Sequence, residues 1–316
     1  MMRYDPNVVS KLATKLGVVK NTLEKVIRLA EILRFINSQE LLMYKLALKG
    51  GTAINLLFSD LPRLSVDIDL DYAVNDQKDE MLSNRELIKQ TLEAYFITEG
   101  YTLSKQSRYS YALDSFVISY SPSGGGSDNI KIEINYAMRS HLLPLENKIL
   151  DLGIIDNPFL VLTVSKIEIY AGKINALLSR NQIRDLYDTY QMINCKLLNH
   201  EEVKTLKSIS LFYRYIQNDT FAFDSNFPQR FTRRSFVRDL LPVIKKGDTF
   251  DLGQAIESVS GFIEMITDYD ENQHGFINSI ENGTPSFDLL FQDEEMKDLA
   301  ENHPLTQWKT IKKEAS

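Results

Sequence analysis

Apolar residues recur at helical spacing through the first forty positions: Val8, Leu12 and Leu16, then, after Gly17, Val26, Leu29, Leu33 and Ile36. This period predicts two helices over residues 5–37, with Asn21 or Thr22 capping the second and Glu24 close behind. Residues 40–48 carry the chain from a helix end into a short strand. At Val66 the period changes to two, with Val66, Ile68 and Leu70 alternating with Asp67, Asp69 and Asp71. That alternation predicts a strand with one apolar and one acidic face. Residues 76–97 are polar with spaced apolar positions, a long helix ended by Gly100. Tyr101–Lys105 and Tyr111–Tyr120 are rich in residues that favour strands. Ser121–Ser127 is a turn or flexible loop. Asn129–Tyr136 alternates again, so a hairpin is expected between residues near 112–121 and 129–137.

Downstream, Pro144 and Pro158 mark 140–164 as an irregular connection with one short strand, Phe159–Val164. Ser165–Met192 has helical periodicity in two halves, the second starting near Asn181. Lys166, Lys173 and Arg180 stand at seven-residue steps and are expected on one helical face. Helices are expected at Glu201–Gln217, Arg230–Lys246, Leu252–Ile266 and Ser286–Ala300, with Lys309–Ser316 frayed. The resulting division is an N-terminal helical arm (1–40), a mixed core (41–195) and a mostly helical C-terminal domain (196–316), an α+β organisation.

Composition narrows the chemistry. The chain has 316 residues, ordinary apolar content and a formal net charge of -7, which gives no long-range attraction to phosphate, although a local basic face would suffice. Its single cysteine, Cys195, excludes an internal disulfide and a cysteine-based metal cluster, and four scattered histidines give no zinc pattern. Met1–Ala13 mixes charges and lacks the apolar core of a signal peptide, and no apolar run is long enough to span a bilayer. A cytoplasmic protein with no membrane partner is expected.

The chemistry concentrates in Leu46–Val74. Gly50-Gly51-Thr52 stands at the expected start of a short helix, where glycines permit close backbone approach and N–H groups can hold phosphate. Asp67 and Asp69, two apart on a strand, point to the same face. Two adjacent half-buried carboxylates repel each other and lose solvation, so a cation is needed to offset them; a hard divalent ion suits oxygen donors. By itself such a pair favours the plainer reading, a strand with surface acids beside an ordinary glycine turn.

The whole string, Lys49-Gly50-Gly51-Thr52 followed by Arg63-x-Ser65-x-Asp67-Ile68-Asp69-Leu70, resembles the signature of the AbiEii/AbiGii-type nucleotidyltransferase toxins, of the DNA polymerase β-like nucleotidyltransferase superfamily. The resemblance implies a polymerase β-like core of mixed sheet flanked by helices. It implies Mg²⁺ (or Mn²⁺) held by Asp67, Asp69 and a third acid from a neighbouring strand. Glu133, in the Lys131-Ile-Glu-Ile-Asn135 string, stands where that acid is expected; the bland alternative is a solvent-facing glutamate on a hairpin. Gly50, Gly51, Thr52 and Ser65 would hold the nucleoside triphosphate. Asp71 is expected as a peripheral solvated acid. Thr52 replaces the serine usual in the wider superfamily, and the gap before Asp67 is longer, as in the toxin family.

A second stretch supports the same resemblance: Lys173, Ala176-Leu-Leu-x-Arg180, then Arg184-Asp185-Leu-Tyr-Asp188. In the toxin family the lysine and the first acid of this segment are essential, which transfers here to Lys173 and Asp185. Lys173 would add charge near the triphosphate, and Asp185 would orient Lys173 or Arg180 or help activate the acceptor hydroxyl. For Lys166, Arg184 and Asp188 a site role and a plain salt-bridge role stand open.

The resemblance covers about Lys49–Asp188. It implies a metal-dependent toxin that moves a nucleoside monophosphate from an NTP to an acceptor hydroxyl, with an antitoxin encoded alongside. In relatives of the MenT type the acceptor is the tRNA 3′ end. Transfer to a small molecule or protein hydroxyl, and a non-catalytic nucleotide- or partner-binding module, are the alternatives. The basic stretch around Arg230, Arg233, Arg234 and Arg238, with Phe231 and Phe236 interleaved, has the composition of an RNA contact. It equally has that of an amphipathic helix with a solvated face.

Overall fold

Asp5 opens the first helix, α1 (Pro6–Leu16), by accepting a 2.8 Å hydrogen bond from the Asn7 N–H. Gly17, at φ 67°, ends it in the left-handed conformation that glycine adopts without strain. The computed structural model describes residues 5–59, 61–153, 157–180, 182–218, 221 and 226–314. Within them α2 (Lys20–Ser38) starts behind Val19 with no side-chain cap. Asn21 and Thr22 therefore lie inside the helix, not at its cap. The start is set by burial: Val18 packs with Val9, Ala13, Leu23, Val26, Ile27 and Leu64, and this fixes where the chain enters α2.

The chain divides into two units. The first comprises Met1–Arg139, Leu145–Val164 and Val243–Asp248. After α2 come β1 (Leu46–Lys49), the single turn α3 (Gly50–Ala53) running into a π-helical turn at Ile54–Phe58, β2 (Asp67–Tyr72) and α4 (Lys78–Thr98). Strands β3 (Thr102–Leu103), β4 (Arg108–Tyr109), β5 (Leu113–Tyr120), β6 (Asp128–Asn135), β7 (Glu146–Leu150) and β8 (Phe159–Thr163) follow. They form one mixed sheet of order β3-β5-β6-β2-β1-β8-β7, with β4 paired to β5. The expected hairpin is present, β5 running antiparallel to β6 from Leu113↔Asn135 to Tyr120↔Asp128. Strand β2 lies between β6, parallel to it, and β1, antiparallel.

Alternation divides the sheet's faces. Ile68, Leu70, Ile132, Ile134, Phe116 and Ile118 are all buried. Phe96 of α4 meets Phe116 edge-on at 5.8 Å on that side. Asp67, Asp69 and Asp71 occupy the opposite face. The Ser121–Ser127 loop is held at one point by Glu24 of α2, a fully buried carboxylate that accepts from the Ser123 backbone N–H at 3.0 Å and hydroxyl at 2.6 Å. Burial alone would raise the Glu24 pKa; the Ser123 and Arg28 hydrogen bonds outweigh it and hold the group below its ordinary value. Strand β7, inside the stretch expected to be irregular, is an edge strand pairing with β8 from Glu146↔Thr163 to Leu150↔Phe159. Its polar residues Glu146, Asn147 and Lys148 hide the alternation.

The second unit comprises Ser140–Pro144, Ser165–Pro242 and Thr249–Ser316 and is helical. Ser165 caps α5 (Lys166–Ser179), and an Asn199/Glu202 capping box opens α7 (His200–Gln217); α6 (Ile183–Asn194) lies between them in sequence. The helix expected over Arg230–Lys246 is broken into a 3-10 turn at Phe227–Arg230, the short α8 (Arg233–Ser235) and a π-helical turn at Phe236–Leu240. Pro242 lacks the N–H needed to continue it, and Val243–Asp248 belongs to the first unit, where Ile244 bridges Arg63. Next come α9 (Leu252–Thr267), α10 (Glu271–Glu281), α11 (Glu294–Glu301) and α12 (Pro304–Glu314). The helix expected over Ser286–Ala300 is thus a 3-10 turn, Phe287–Leu289, and α11. Lys309–Glu314, expected to fray, is helical; residues 315–316 lie outside the described residues, as does Asn181. Phe212 centres the core, with Phe287 at 6.1 Å and Phe291 at 6.0 Å. Among the described residues no helix is long and apolar enough to cross a membrane.

Candidate active site

In the first unit, strand register assembles the acidic residues. Asp69 of β2 stands opposite Glu133 of parallel β6 on one side and Lys49 of antiparallel β1 on the other. Neighbouring strands are about 4.8 Å apart, so these three side chains form one row across the sheet. Asp67 stands opposite Lys131 one step along, and Ser115 of β5 lies beside Glu133. Asp67, Asp69 and Glu133 therefore share a face, and each is half-buried.

The glycine pair sits directly against this row. Gly50 has a φ of 70°, and a Cβ placed there would overlap the Asp69 carboxylate. A Cβ on Gly51 would lie 2.6 Å from Arg63 Nη2 and 3.4 Å from Ser65 Oγ. Thr52, fully buried, donates its hydroxyl hydrogen to the Asp67 carbonyl and shares a 2.8 Å hydrogen bond with Ser65 Oγ. Asn55 ties the same turn together, donating to the Gly51 carbonyl at 2.7 Å and accepting from the Arg63 N–H at 3.2 Å. Gly50, Gly51, Thr52, Ser65, Asp67, Asp69 and Glu133 are thus brought together.

Three further residues belong to this surface. Lys49 makes a 2.5 Å ion pair with Asp71, which is 2% exposed. Asp71 is therefore a buried, paired carboxylate and not the peripheral solvated acid expected; the lysine across the strand pair makes that burial tolerable. Lys131 pairs with Glu133 at 2.8 Å. Arg63 is buried beneath Gly51. Lys49 and Arg63 lie within the glycine and Asp-x-Asp strings, but their contacts follow from register, which the sequence does not display.

The donor set is all carboxylate oxygen, the chemistry of a hard divalent cation, and the missing side chain of Gly50 makes room for the Asp69 carboxylate. Among the described residues no three acidic, histidine or cysteine side chains converge as a ready metal cage. Glu133 is turned onto Lys131, whose side chain is 45% exposed and can move away.

In the second unit, Lys173, Arg180, Asp185 and Asp188 come together. Lys173 Nζ lies 2.9 Å from Asp185 and 3.1 Å from Asp188, all three buried. Arg180 Nε lies 2.8 Å from the other Asp185 oxygen. Burial would raise the Asp185 pKa; Lys173 and Arg180 outweigh it and hold the carboxyl below its ordinary range. Arg180 reaches Asp185 from an extended residue after the end of α5, so it does not share a helical face with Lys173 as spacing predicted. Lys166 turns instead to the Leu197 carbonyl at 2.7 Å and to Glu202 at 3.1 Å.

The basic stretch is not an aromatic-lined strip. Phe231 is buried, and Phe236 stacks on Phe250 at 5.9 Å, so neither ring is offered to a base. Arg230 donates to the Leu178 carbonyl at 3.3 Å and Arg238 pairs with Asp239 at 2.7 Å. Arg233 and Arg234 are exposed.

No curated protein sequence matches the chain. In structure, the chain is similar to MenT4, a nucleotidyltransferase toxin from Mycobacterium tuberculosis H37Rv, with a TM-score of 0.64 and 15% identity, over 95% of this chain and 98% of that one. JHP933 from Helicobacter pylori aligns with 84% of this chain and 99% of its own at 17% identity and a TM-score of 0.47. The likeness to MenT4 shows the fold, an α+β architecture of mixed sheet flanked by helices. The family described as nucleotidyl transferase AbiEii toxin, type IV TA system, matches residues 31–292, which include both the Asp67/Asp69 strand and the Lys173/Asp185 helices. The chain belongs to the AbiEii nucleotidyl transferase toxins of type IV toxin–antitoxin systems.

Proposed function

We propose that the protein transfers a nucleoside monophosphate from an NTP to the 3′ end of tRNA, and that Asp67, Asp69 and Glu133 hold Mg²⁺ or Mn²⁺ for this reaction. The observation that carries the reading is the Lys49–Asp69–Glu133 row with Gly50 pressed against it. A bound divalent ion would supply charge neutralisation on the triphosphate and activation of the acceptor hydroxyl. The chain's own part is positioning. Gly50 and Gly51 let the Asp69 carboxylate and the Arg63 guanidinium pack against the turn that would hold the triphosphate, and Thr52 fixes the β2 strand through the Asp67 carbonyl. Lys173, paired with Asp185 and Asp188, ties α5 to α6 and supplies a buried positive charge that the transfer needs. An antitoxin partner follows from the type IV family.

The tRNA acceptor is supported by the exposed Arg233 and Arg234. The net charge of -7 and the packed Phe231 and Phe236 favour the second reading, transfer to a small molecule or a protein hydroxyl. The test mixes purified protein, Mg²⁺ and each labelled NTP with total tRNA, with Asp67→Ala as control. Label on tRNA with the wild type alone is expected. Pyrophosphate release in cell extract without tRNA label would assign the acceptor to the second reading.

A further inference from the structure

The second unit carries a cavity of about 270 Å³, remote in sequence from both motifs, whose lining includes Tyr215, Phe221, Pro285, Trp308, Lys309 and Lys312. Its composition is unusual for a chain of net charge -7. Three aromatic rings stand beside two lysines, and the lining residues named include no acid. The walls are fixed. Arg214 Nε donates to the Phe221 carbonyl at 2.8 Å, and Lys309 Nζ reaches the Asn218 carbonyl at 2.5 Å. Both ammonium groups lie over rings, Lys309 at 5.3 Å from the Tyr215 centroid and Lys312 at 5.2 Å from that of Trp308. Trp308, the chain's single tryptophan, lines the cavity and is 53% exposed. A large indole left half in water has a face to offer. Lys312, exposed on the last helix, can swing to an anion without unfolding anything, and Lys309, held by the Asn218 carbonyl, presents its charge where it stands.

A flat apolar surface next to two cations matches the two halves of a nucleotide, a base that stacks and a phosphate that needs neutralising. The volume admits about one such unit. We propose that this pocket binds one nucleotide of single-stranded RNA, its base against Trp308 and its phosphates on Lys309 and Lys312. The proposal rests on the RNA-acceptor reading and adds to it a docking site on α12 separate from the acidic row.

The test uses the full chain carrying Asp67→Ala, so that binding is read without turnover. A short single-stranded oligouridylate is titrated while Trp308 fluorescence is followed, and labelled oligouridylate is followed by anisotropy. Quenching of Trp308 is expected. Lys309→Ala with Lys312→Ala should weaken binding about tenfold or more and flatten the dependence of log Kd on log salt by about 1.4, the share of two phosphate contacts on a single strand. Trp308→Ala should weaken binding about tenfold, and Trp308→Phe should retain most of it. Unchanged fluorescence at saturation, or an abasic ribose-phosphate chain binding as tightly as oligouridylate, overturns the proposal. Polyglutamate binding as tightly also overturns it, in favour of an acidic protein partner. The acceptor reading fails separately, if the wild type leaves no label on tRNA.

Discussion

Gly50 and Asp69 occupy space that only glycine can share: a Cβ at position 50 would overlap the Asp69 carboxylate, and the backbone there has a φ of 70°. Two independent constraints therefore act on one residue. The conformation disfavours any side chain by about 1–2 kcal/mol, and the crowding would displace the central acid of the row.

Gly50→Ala should accordingly reduce nucleotidyl transfer at least ~100-fold, the scale expected when a positioning element shifts by about 1 Å. Gly125→Ala is the matched control, because Gly125 has a φ of 83° and nothing within 4 Å of a new Cβ. Gly125→Ala should lose about 1–2 kcal/mol in urea and Gly50→Ala at least as much, with only Gly50→Ala losing transfer. Equal transfer in the two would mean that Asp69 need not occupy its present position.

Thr52 links the glycine turn to the acidic strand through the Asp67 carbonyl and Ser65. Thr52→Val keeps the shape but removes the hydroxyl, leaving buried polar groups short of a partner at a cost of about 1–3 kcal/mol. Thr52→Ser keeps the bond and should lie within ~1 kcal/mol of wild type. Urea unfolding of the three proteins measures both differences.

These contacts show what the sequence could disclose. The Asp67/Asp69 alternation and the β5–β6 hairpin were legible because a period of two in a run of β-branched residues has one structural solution. The adjacency of Asp69 and Glu133 was expected only by resemblance, since parallel pairing of β2 with β6 is a long-range choice that no local pattern encodes. Asp71 was misjudged because its burial depends on Lys49, 22 positions earlier and one strand over. Arg180 was misplaced because seven-residue spacing assumes an unbroken helix, and α5 ends at Ser179. The Arg230–Lys246 stretch was misread as one helix because composition concealed the effect of Pro242 and of Ile244 leaving to pair with Arg63.

Asp185 predicts a pH dependence. Its carboxyl is held below the ordinary range by Lys173 and Arg180 against the opposing effect of burial. A group depressed on folding stabilises the native state fully above its unfolded pKa, about 3.9 for aspartate. The contribution is lost as pH falls from there through the lower folded value. Unfolding free energy of wild type should therefore decline more steeply below about pH 4 than that of Asp185→Asn, with parallel profiles above about pH 5. Parallel profiles down to pH 2 would contradict this assignment.

Lys173 is the harder case, because its loss has two effects that must be separated. It is the cation shared by Asp185 and Asp188, each 1% exposed, and Arg180 pairs with Asp185 as well. Lys173→Met withdraws the cation shared by two buried carboxylates, a destabilisation of about 3–5 kcal/mol. Inactivity of that single variant would thus say nothing about chemistry. Adding Asp188→Asn removes one of the two carboxylates that Lys173 neutralises, so thermal unfolding of the double variant should return part of the way to wild type. Transfer activity should remain low in the refolded double variant, because the charge and the tie between α5 and α6 are both gone. If activity returns together with stability, Lys173 is a structural cation alone, and the match of its surroundings to the family motif reflects folding, not catalysis.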